Sequence, residues 1–190
     1  FDQALSGRGV LSIQDEITSQ VVGAIADSHG TIFRAVLSQS KAKRPESFDA
    51  YDCVLRAIEL QTVLDAQMHL DVRACLERTV ESEPDYADAW AWLSVVYDNE
   101  INAGLNPLPG SLDRAIAAGR RAVVLDPQNQ IAHYAMAWAH YLAHDLAAFH
   151  DSAEKAIIAN PNNAFVLSDL ALPLAWSGES ERPVAMFEKA

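Results

Sequence analysis

The 190-residue sequence lacks the features of several large classes of protein. No apolar run reaches the roughly 18 residues of a membrane-spanning helix, so we expect no membrane segment. Cationic residues are few, with 14 Lys and Arg against 26 Asp and Glu, and the net charge is −12. Because such a field repels a phosphate backbone, we expect this chain not to bind nucleic acid.

Cysteine is nearly absent as well. Cys53 and Cys75 stand far apart, without the CxxC spacing of a redox or zinc motif. Two isolated cysteines favour reduced, structural thiols in a cytoplasmic protein, and a disulfide between them is the alternative.

Motifs of enzymatic chemistry are also missing. The sequence has no GxSxG, no GxGxxG and no phosphate-binding loop, so we expect no catalytic residue and no cofactor in this chain. His140 and His144 have the spacing of a zinc pair on one helix, and Asp145 or Asp151 could complete the ligand set. Because the glutamate of an HExxH motif is missing between the two histidines, we expect no metal site.

Residues 1–45 differ from the rest of the chain. Apolar residues at steps of three and four predict a lead helix over 10–40, with a kink at Gly30, before the polar stretch 41–45. We interpret the whole region as the end of an upstream domain followed by a lead and linker helix. Since the sequence begins with Phe1 and shows no signal peptide, we expect it to be part of a longer protein.

The remainder of the chain, 46–190, is periodic. Pro84, Pro127 and Pro161 each follow an acidic or amide residue at the end of a helical pattern. Pro127 and Pro161 are 34 residues apart, and Pro84 lies 43 residues before Pro127. A period of this size indicates stacked helix hairpins, in which no hairpin buries its apolar face alone.

The repeats share one motif. Its copies are Trp90-x-x-Leu93-Ser94-x-x-Tyr97, His133-x-x-Met136-Ala137-x-x-His140 and Leu167-x-x-Leu170-Ala171-x-x-Leu174. With the 34-residue period, this motif resembles the tetratricopeptide repeat (TPR) family. The resemblance implies an all-α superhelix of antiparallel hairpins that binds protein or peptide partners and does not catalyse. The units fall at about 48–86, 87–129, 130–163 and, truncated, 164–190.

Departures from the strict pattern carry their own expectations. Small side chains let the helices of a hairpin approach closely, so Ala137 and Ala156 are predicted to meet inside the third unit. Residues 102–111, which contain Gly and Pro, are predicted to lengthen the turn of the second unit. Extra residues at 62–68 are predicted to do the same in the first unit.

The resemblance also suggests a binding surface, because the first helix of each TPR hairpin lines the concave face on which the family binds peptides. The predicted groove residues are Tyr134, Trp138 and Tyr141 in the third unit and Phe165, Leu172 and Trp176 in the fourth. Trp and Tyr offer a large contact area with little entropy to lose. The alternative is that these side chains belong to the core.

A narrower resemblance concerns the order of segments. The chain contains, in order, the stretch 13–18, a long predicted helix, Ala50-Tyr51-Asp52 and the repeats. This order is similar to the C-terminal region of certain bacterial proteins. In those proteins a class III adenylate cyclase domain or a winged-helix DNA-binding regulator precedes TPRs. This resemblance implies a regulatory module of a bacterial signalling protein, with any cyclase residues outside this chain. Because the last unit is truncated, we also expect self-association, most simply as a homodimer.

Overall fold

A computed structural model of the protein describes residues 31–41, 48–178 and 182–189. Within these ranges the chain forms helices and turns and contains no strand. The all-α fold predicted from the sequence is confirmed. In chain order the helices are α1 Thr31–Lys41, α2 Ala50–Val63, α3 Ala66–Ser82, α4 Ala87–Asn102, α5 Ser111–Leu125, α6 Gln130–Leu142, α7 Leu146–Ala159, α8 Ala164–Trp176 and α9 Arg182–Lys189.

The helices from α2 onward pair into hairpins. The pairs are α2 with α3, α4 with α5, α6 with α7, and α8 with α9. The first helices of neighbouring hairpins also pack against each other, so α2, α4, α6 and α8 form a continuous row, here called the first-helix row. Of the predicted lead helix only α1 lies within the described residues, where it packs against α2, and the expected kink at Gly30 lies outside them.

The turns between hairpins have a local cause. Helices α3, α5 and α7 end just before Pro84, Pro127 and Pro161, each of which begins a two-residue turn. Proline has no backbone N–H and cannot continue a helix, so these turns fall where the sequence predicts them. The next helix then starts on a polar cap, since Asn129 accepts from Ala132 N at 2.9 Å at the start of α6.

The two insertions behave differently. Residues 103–110 form the predicted long turn between α4 and α5. The prediction for 62–68 is wrong, because only Leu64 and Asp65 separate α2 from α3 and the extra residues lengthen the helices instead. Leu64 closes α2 in a left-handed conformation, with its N–H on Leu60 O, and the Asp65 carboxylate caps α3 by accepting from Met68 N at 2.7 Å.

Small side chains hold the hairpins close together, as the repeat motif implies. Ser94 Oγ donates to the main-chain carbonyl of Ala115, 2.8 Å away, and so joins α4 to α5. A Cβ atom on Gly119 would lie 2.7 Å from Met136 Sδ and 3.0 Å from Ser94 Oγ, which explains why α5 carries glycine there. Ala137 and Ala156 are both fully buried in one core cluster.

The cysteine prediction is wrong. Cys53 on α2 and Cys75 on α3 form a disulfide, with their Cα atoms 5.6 Å apart and each residue 2% exposed. Their separation of 22 residues gives no hint of this in the sequence, but the antiparallel hairpin brings the two positions face to face.

Among the described helices, none has the length and apolar content needed to cross a bilayer.

Candidate functional site

A small pocket opens along the first-helix row, at the junction of four hairpins. Its volume is about 100 Å³. The lining residues are Gln61 and Leu64 from α2, Val95, Asp98, Asn99, Asn102 and Ala103 from α4 and its end, Tyr134 and Trp138 from α6, and Phe165 and Asp169 from α8. We call this feature the acidic pocket, because Asp98 and Asp169 are its two ionisable carboxyl groups.

Asp169 is held by two aromatic side chains of the neighbouring helix. Tyr134 donates its hydroxyl to Asp169 Oδ2 at 2.7 Å, and Trp138 Nε1 donates to the same oxygen at 2.6 Å. Burial raises the pKa of Asp169, and these two hydrogen bonds only partly offset that effect. Burial and the charge of Asp169 raise the pKa of Tyr134 well above its usual value, so its hydroxyl remains a donor.

Asp98 is the unusual group of the pocket. The residue is only 4% exposed, and neither carboxylate oxygen has a hydrogen-bond partner among the described residues. Burial raises the pKa of Asp98 well above its usual value, because a low-dielectric site disfavours the charged form. Buried carboxyl groups without partners are rare and costly in folded proteins, so this one calls for an explanation.

The rest of the pocket wall is aromatic and amide in character. Phe165 packs edge-on against Tyr134, with ring centroids 5.2 Å apart, and Trp92 lies behind it at 6.3 Å. Two amide side chains also line the pocket, and Asn99 Nδ2 donates to Gln61 Oε1 at 3.2 Å and so connects α4 to α2. The wall therefore contains aromatic rings and neutral amides together with the two carboxyl groups.

The pocket opens toward solvent at the ends of two helices. Leu64, which follows α2, is 47% exposed, and Asn102 and Ala103 at the end of α4 are also exposed. Helix C-termini carry a partial negative charge. The mouth therefore carries a partial negative charge, which suits a cationic group.

The structure divides the six predicted groove residues. Tyr134, Trp138 and Phe165 meet in the acidic pocket. Tyr141 turns toward the hairpin interior, with its ring 5.3 Å from Phe149 and 5.9 Å from Trp138. Leu172 and Trp176 do not line the pocket.

Those two residues of α8 lie on the surface, where Leu172 is 48% and Trp176 is 68% exposed. They are available to a partner that lies along the first-helix row. The use of this row as a groove remains a prediction.

The sequence reasoning missed both pocket carboxylates. Asp169 is the only acidic residue of α8, whose sequence AFVLSDLALPLAW is otherwise largely apolar. A single carboxylate in an apolar helix was the one sequence feature that could have indicated a buried functional group. Asp98 directly follows the motif residue Tyr97 and looks like an ordinary polar position in the sequence. Only stacking of the hairpins brings Asp98 and Asp169 to one pocket.

The histidines do not form the pair considered from the sequence. Helix α6 ends at Leu142, and His144 lies beyond it in a left-handed turn with φ 59°, so His140 and His144 do not share a helix face. His140 Nδ1 instead lies 3.1 Å from Ser152 Oγ, and His133 Nε2 lies 2.8 Å from Pro127 O. In the part of the chain that the structure describes, no three His, Cys, Asp or Glu side chains converge as a metal site.

Comparison with known proteins gives one curated relative and several solved structures. No protein-family model matches the chain. The protein named "Putative adenylate cyclase 3" from Rhizobium meliloti is 27% identical over 145 residues, which cover 73% of this chain. The same match covers 23% of that protein, so the chain spans about a quarter of its relative's length.

One solved structure with a TM-score above 0.5 shares the fold of the chain. TTC0263, a thermophilic TPR protein from Thermus thermophilus, superposes with a TM-score of 0.59 at 16% identity, covering 95% of this chain and 85% of that one. MamA superposes with a TM-score of 0.48 at 18% identity, covering 83% of this chain and 81% of the other. The chain has the tetratricopeptide fold, as the repeat motif predicted.

Proposed function

We propose that this chain, built on the tetratricopeptide fold, is a protein-interaction module that holds a segment of a partner protein along its first-helix row. The observation that carries the proposal is the acidic pocket, which side chains from four successive hairpins build at one point of that row. A concave site with aromatic walls and a few fixed polar groups is the usual form of a recognition site. Tyr134, Trp138 and Phe165 supply rigid contact area, and Asp98 and Asp169 supply orientation.

Exposed apolar residues on α8, the helix that also carries Phe165 and Asp169, support the proposal. Leu172 and Trp176 lie on α8, the fourth and final helix of the first-helix row, and expose apolar area to solvent. An extended segment that enters the pocket would continue over them. Aromatic anchors of this kind tend to dominate the energy of an interface.

A random-peptide display library selected on the intact 190-residue chain tests the proposal. We expect recovered peptides to bind saturably and to lose affinity in Leu172→Asp, which adds a charge beside the row. Ile158→Asp is the matched control, because Ile158 is 68% exposed on the second helix α7. Failure to recover any saturable binder, or equal losses in the two variants, would contradict binding along the first-helix row.

A second proposal concerns the whole protein to which the chain belongs. We propose that the chain is a regulatory segment of an adenylate cyclase that acts in a signalling pathway. The match to the Rhizobium meliloti protein supports this proposal. The test is to express the complete gene product and measure cyclic AMP formation with and without residues 1–190. A product without cyclase activity in either form would reject this role and leave the interaction module in place.

A further inference from the structure

We propose that the acidic pocket binds the guanidinium group of an arginine side chain on a partner protein. This inference rests on the proposed interaction function and deepens it by naming the chemical group that the row recognises. Four independent properties of the pocket favour that group: an unpartnered carboxylate, aromatic walls, size and charge.

The first property is the unpartnered carboxylate. Asp98 lines the pocket, and both of its carboxylate oxygens are almost completely buried and lack a hydrogen-bond donor among the described residues. A protonated Asp98 would lose its charge but would still leave its hydroxyl and carbonyl without partners. A guanidinium group carries five N–H donors in a fixed fork and can satisfy both oxygens of one carboxylate at once.

The aromatic walls favour guanidinium over ammonium. Phe165 and Trp138 line the pocket beside Asp169, so a planar cation can stack on a ring while it donates to a carboxylate. Arginine is weakly hydrated and stacks on aromatic faces, whereas the lysine ammonium is a compact and strongly hydrated point charge. The protein already uses this geometry elsewhere, where the guanidinium carbon of Arg114 lies 4.2 Å from the centre of the Tyr97 ring.

Size and charge agree with this choice. A cavity of about 150 Å³ holds benzene, and the acidic pocket, at about 100 Å³, suits the smaller guanidinium head group. Asp169 adds a second carboxylate, and the ends of α2 and α4 add the negative ends of two helix dipoles. The net charge of −12 would draw a basic segment toward the chain before contact.

Nuclear magnetic resonance of the indole N–H groups tests the inference directly. The probe is N-acetyl-arginine methylamide, added to the whole chain at mildly alkaline pH, where Asp98 is more fully ionised. We expect a saturable shift of the Trp138 indole resonance, which a Trp138→Phe variant identifies. The neutral citrulline analogue has nearly the same shape and should produce no saturable shift, and the lysine analogue should bind more weakly.

An Asp98→Asn variant gives the second arm. Asp98 accepts no hydrogen bond in the described structure, so the substitution removes the charge without breaking a contact. We expect about ten- to a hundredfold weaker binding of the arginine probe, which is the loss of one charge-assisted hydrogen bond. Asp113→Asn on the exposed face of α5 changes the net charge equally and should bind the probe as the parent does.

Some outcomes overturn the inference. These are no saturable shift with the arginine probe, equal affinity for the citrulline or lysine probe, or undiminished affinity in Asp98→Asn. The display selection separates this failure from failure of the proposed function. Peptides that bind the first-helix row without an arginine in common would leave the interaction module standing and reject the arginine pocket.

Discussion

The guanidinium of Arg73 lies 2.7 Å from Glu100 Oε1, so an ion pair joins helix α3 of the first hairpin to helix α4 of the second. The Glu100 side chain is fully buried. Its other oxygen accepts from Arg114 Nη2 at 2.6 Å, from Leu108 N at 3.2 Å and from Ser111 Oγ. One carboxylate therefore connects α3, α4, the long turn and α5.

Replacing Glu100 by Gln should destabilise the protein. The change removes the charge that pairs Arg73 and Arg114, and breaking a buried network of this kind costs about 3 kcal/mol or more. Because Arg114 is partly exposed and can be hydrated, we expect about 2–3 kcal/mol in urea unfolding at neutral pH. Glu81→Gln, on an exposed position of α3, is the control. An unfolding midpoint equal in the two variants would show that the network does not hold the turn.

The lowered pKa of Glu100 also leads us to expect a loss of stability in acid. Burial raises the pKa of Glu100, but hydrogen bonds from Ser111, Arg73 and Leu108 N and the charge of Arg114 outweigh it, so the pKa lies below its usual value. A lowered carboxyl pKa contributes stability above the unfolded-state pKa and loses it as the pH falls through the folded-state value. The stability difference between the parent chain and Glu100→Gln should therefore shrink as the solution is acidified. A difference that stays constant would contradict this assignment.

The contribution of Asp98 to stability should have the opposite pH dependence to that of Glu100. The pKa of Asp98 is raised, so its contribution to stability is greatest below the unfolded-state pKa and declines as the pH rises toward the folded-state value. Asp98→Asn should therefore gain stability relative to the parent as the pH rises above the unfolded-state pKa of the carboxyl group. Tyr134 and Asp169 are the titratable neighbours, while α2 contributes the neutral Gln61 and Leu64, so Asp169 will retain part of the pH dependence.

Urea unfolding across a pH series measures this effect, with Asp113→Asn as the charge-matched control. The stability gain of Asp98→Asn should grow with pH, and the control should show little change because Asp113 is exposed. A variant that is destabilised at neutral pH would show that Asp98 has a stabilising partner.

The Cys53–Cys75 disulfide should stabilise the first hairpin. Cross-linking residues 22 apart removes loop entropy from the unfolded chain worth about 3 kcal/mol. A Cys53→Ala/Cys75→Ala variant should therefore melt earlier than the oxidised parent and should be insensitive to reductant. Thiol labelling in intact cells then addresses the predicted cytoplasmic location, because disulfides rarely persist in a reducing compartment.

Overpacking the third hairpin should be costly. Ala137→Leu adds three heavy atoms at a fully buried position, and such a change costs about 1–3 kcal/mol. Ala147→Leu on α7 is the matched control, because Ala147 is exposed on a helix. A melting temperature that falls equally in both variants would point to a cause other than core packing.

The hairpins could be predicted from the sequence because their determinants repeat. Pro127 and Pro161 stand one period apart, and small residues such as Ser94 and Ala137 recur at the same motif position. The shape of the first turn could not be predicted in this way. Leu64 takes a left-handed conformation that favours glycine, so the sequence shows no turn signal where α2 ends.

The pocket was only half predictable. Tyr134, Trp138 and Phe165 belong to recognisable first helices, and their aromatic character drew attention to them. Asp98 and Asp169 come from two different repeats and occupy no motif position, so only the stacking of hairpins brings them together. The disulfide was missed for a similar reason, since Cys53 and Cys75 face each other only after the hairpin forms.

Because no single hairpin contains the acidic pocket, its dimensions depend on how the hairpins are stacked. Stacked repeats contact only their neighbours, so bending and twisting of the stack are its softest motions. Such motions change the distances between α2, α4, α6 and α8 before they change anything inside a hairpin. The dimensions of the pocket therefore change with the curvature of the stack. By the reciprocity of linked equilibria, a ligand seated there would favour one curvature, and a force that straightens the stack would lower the affinity.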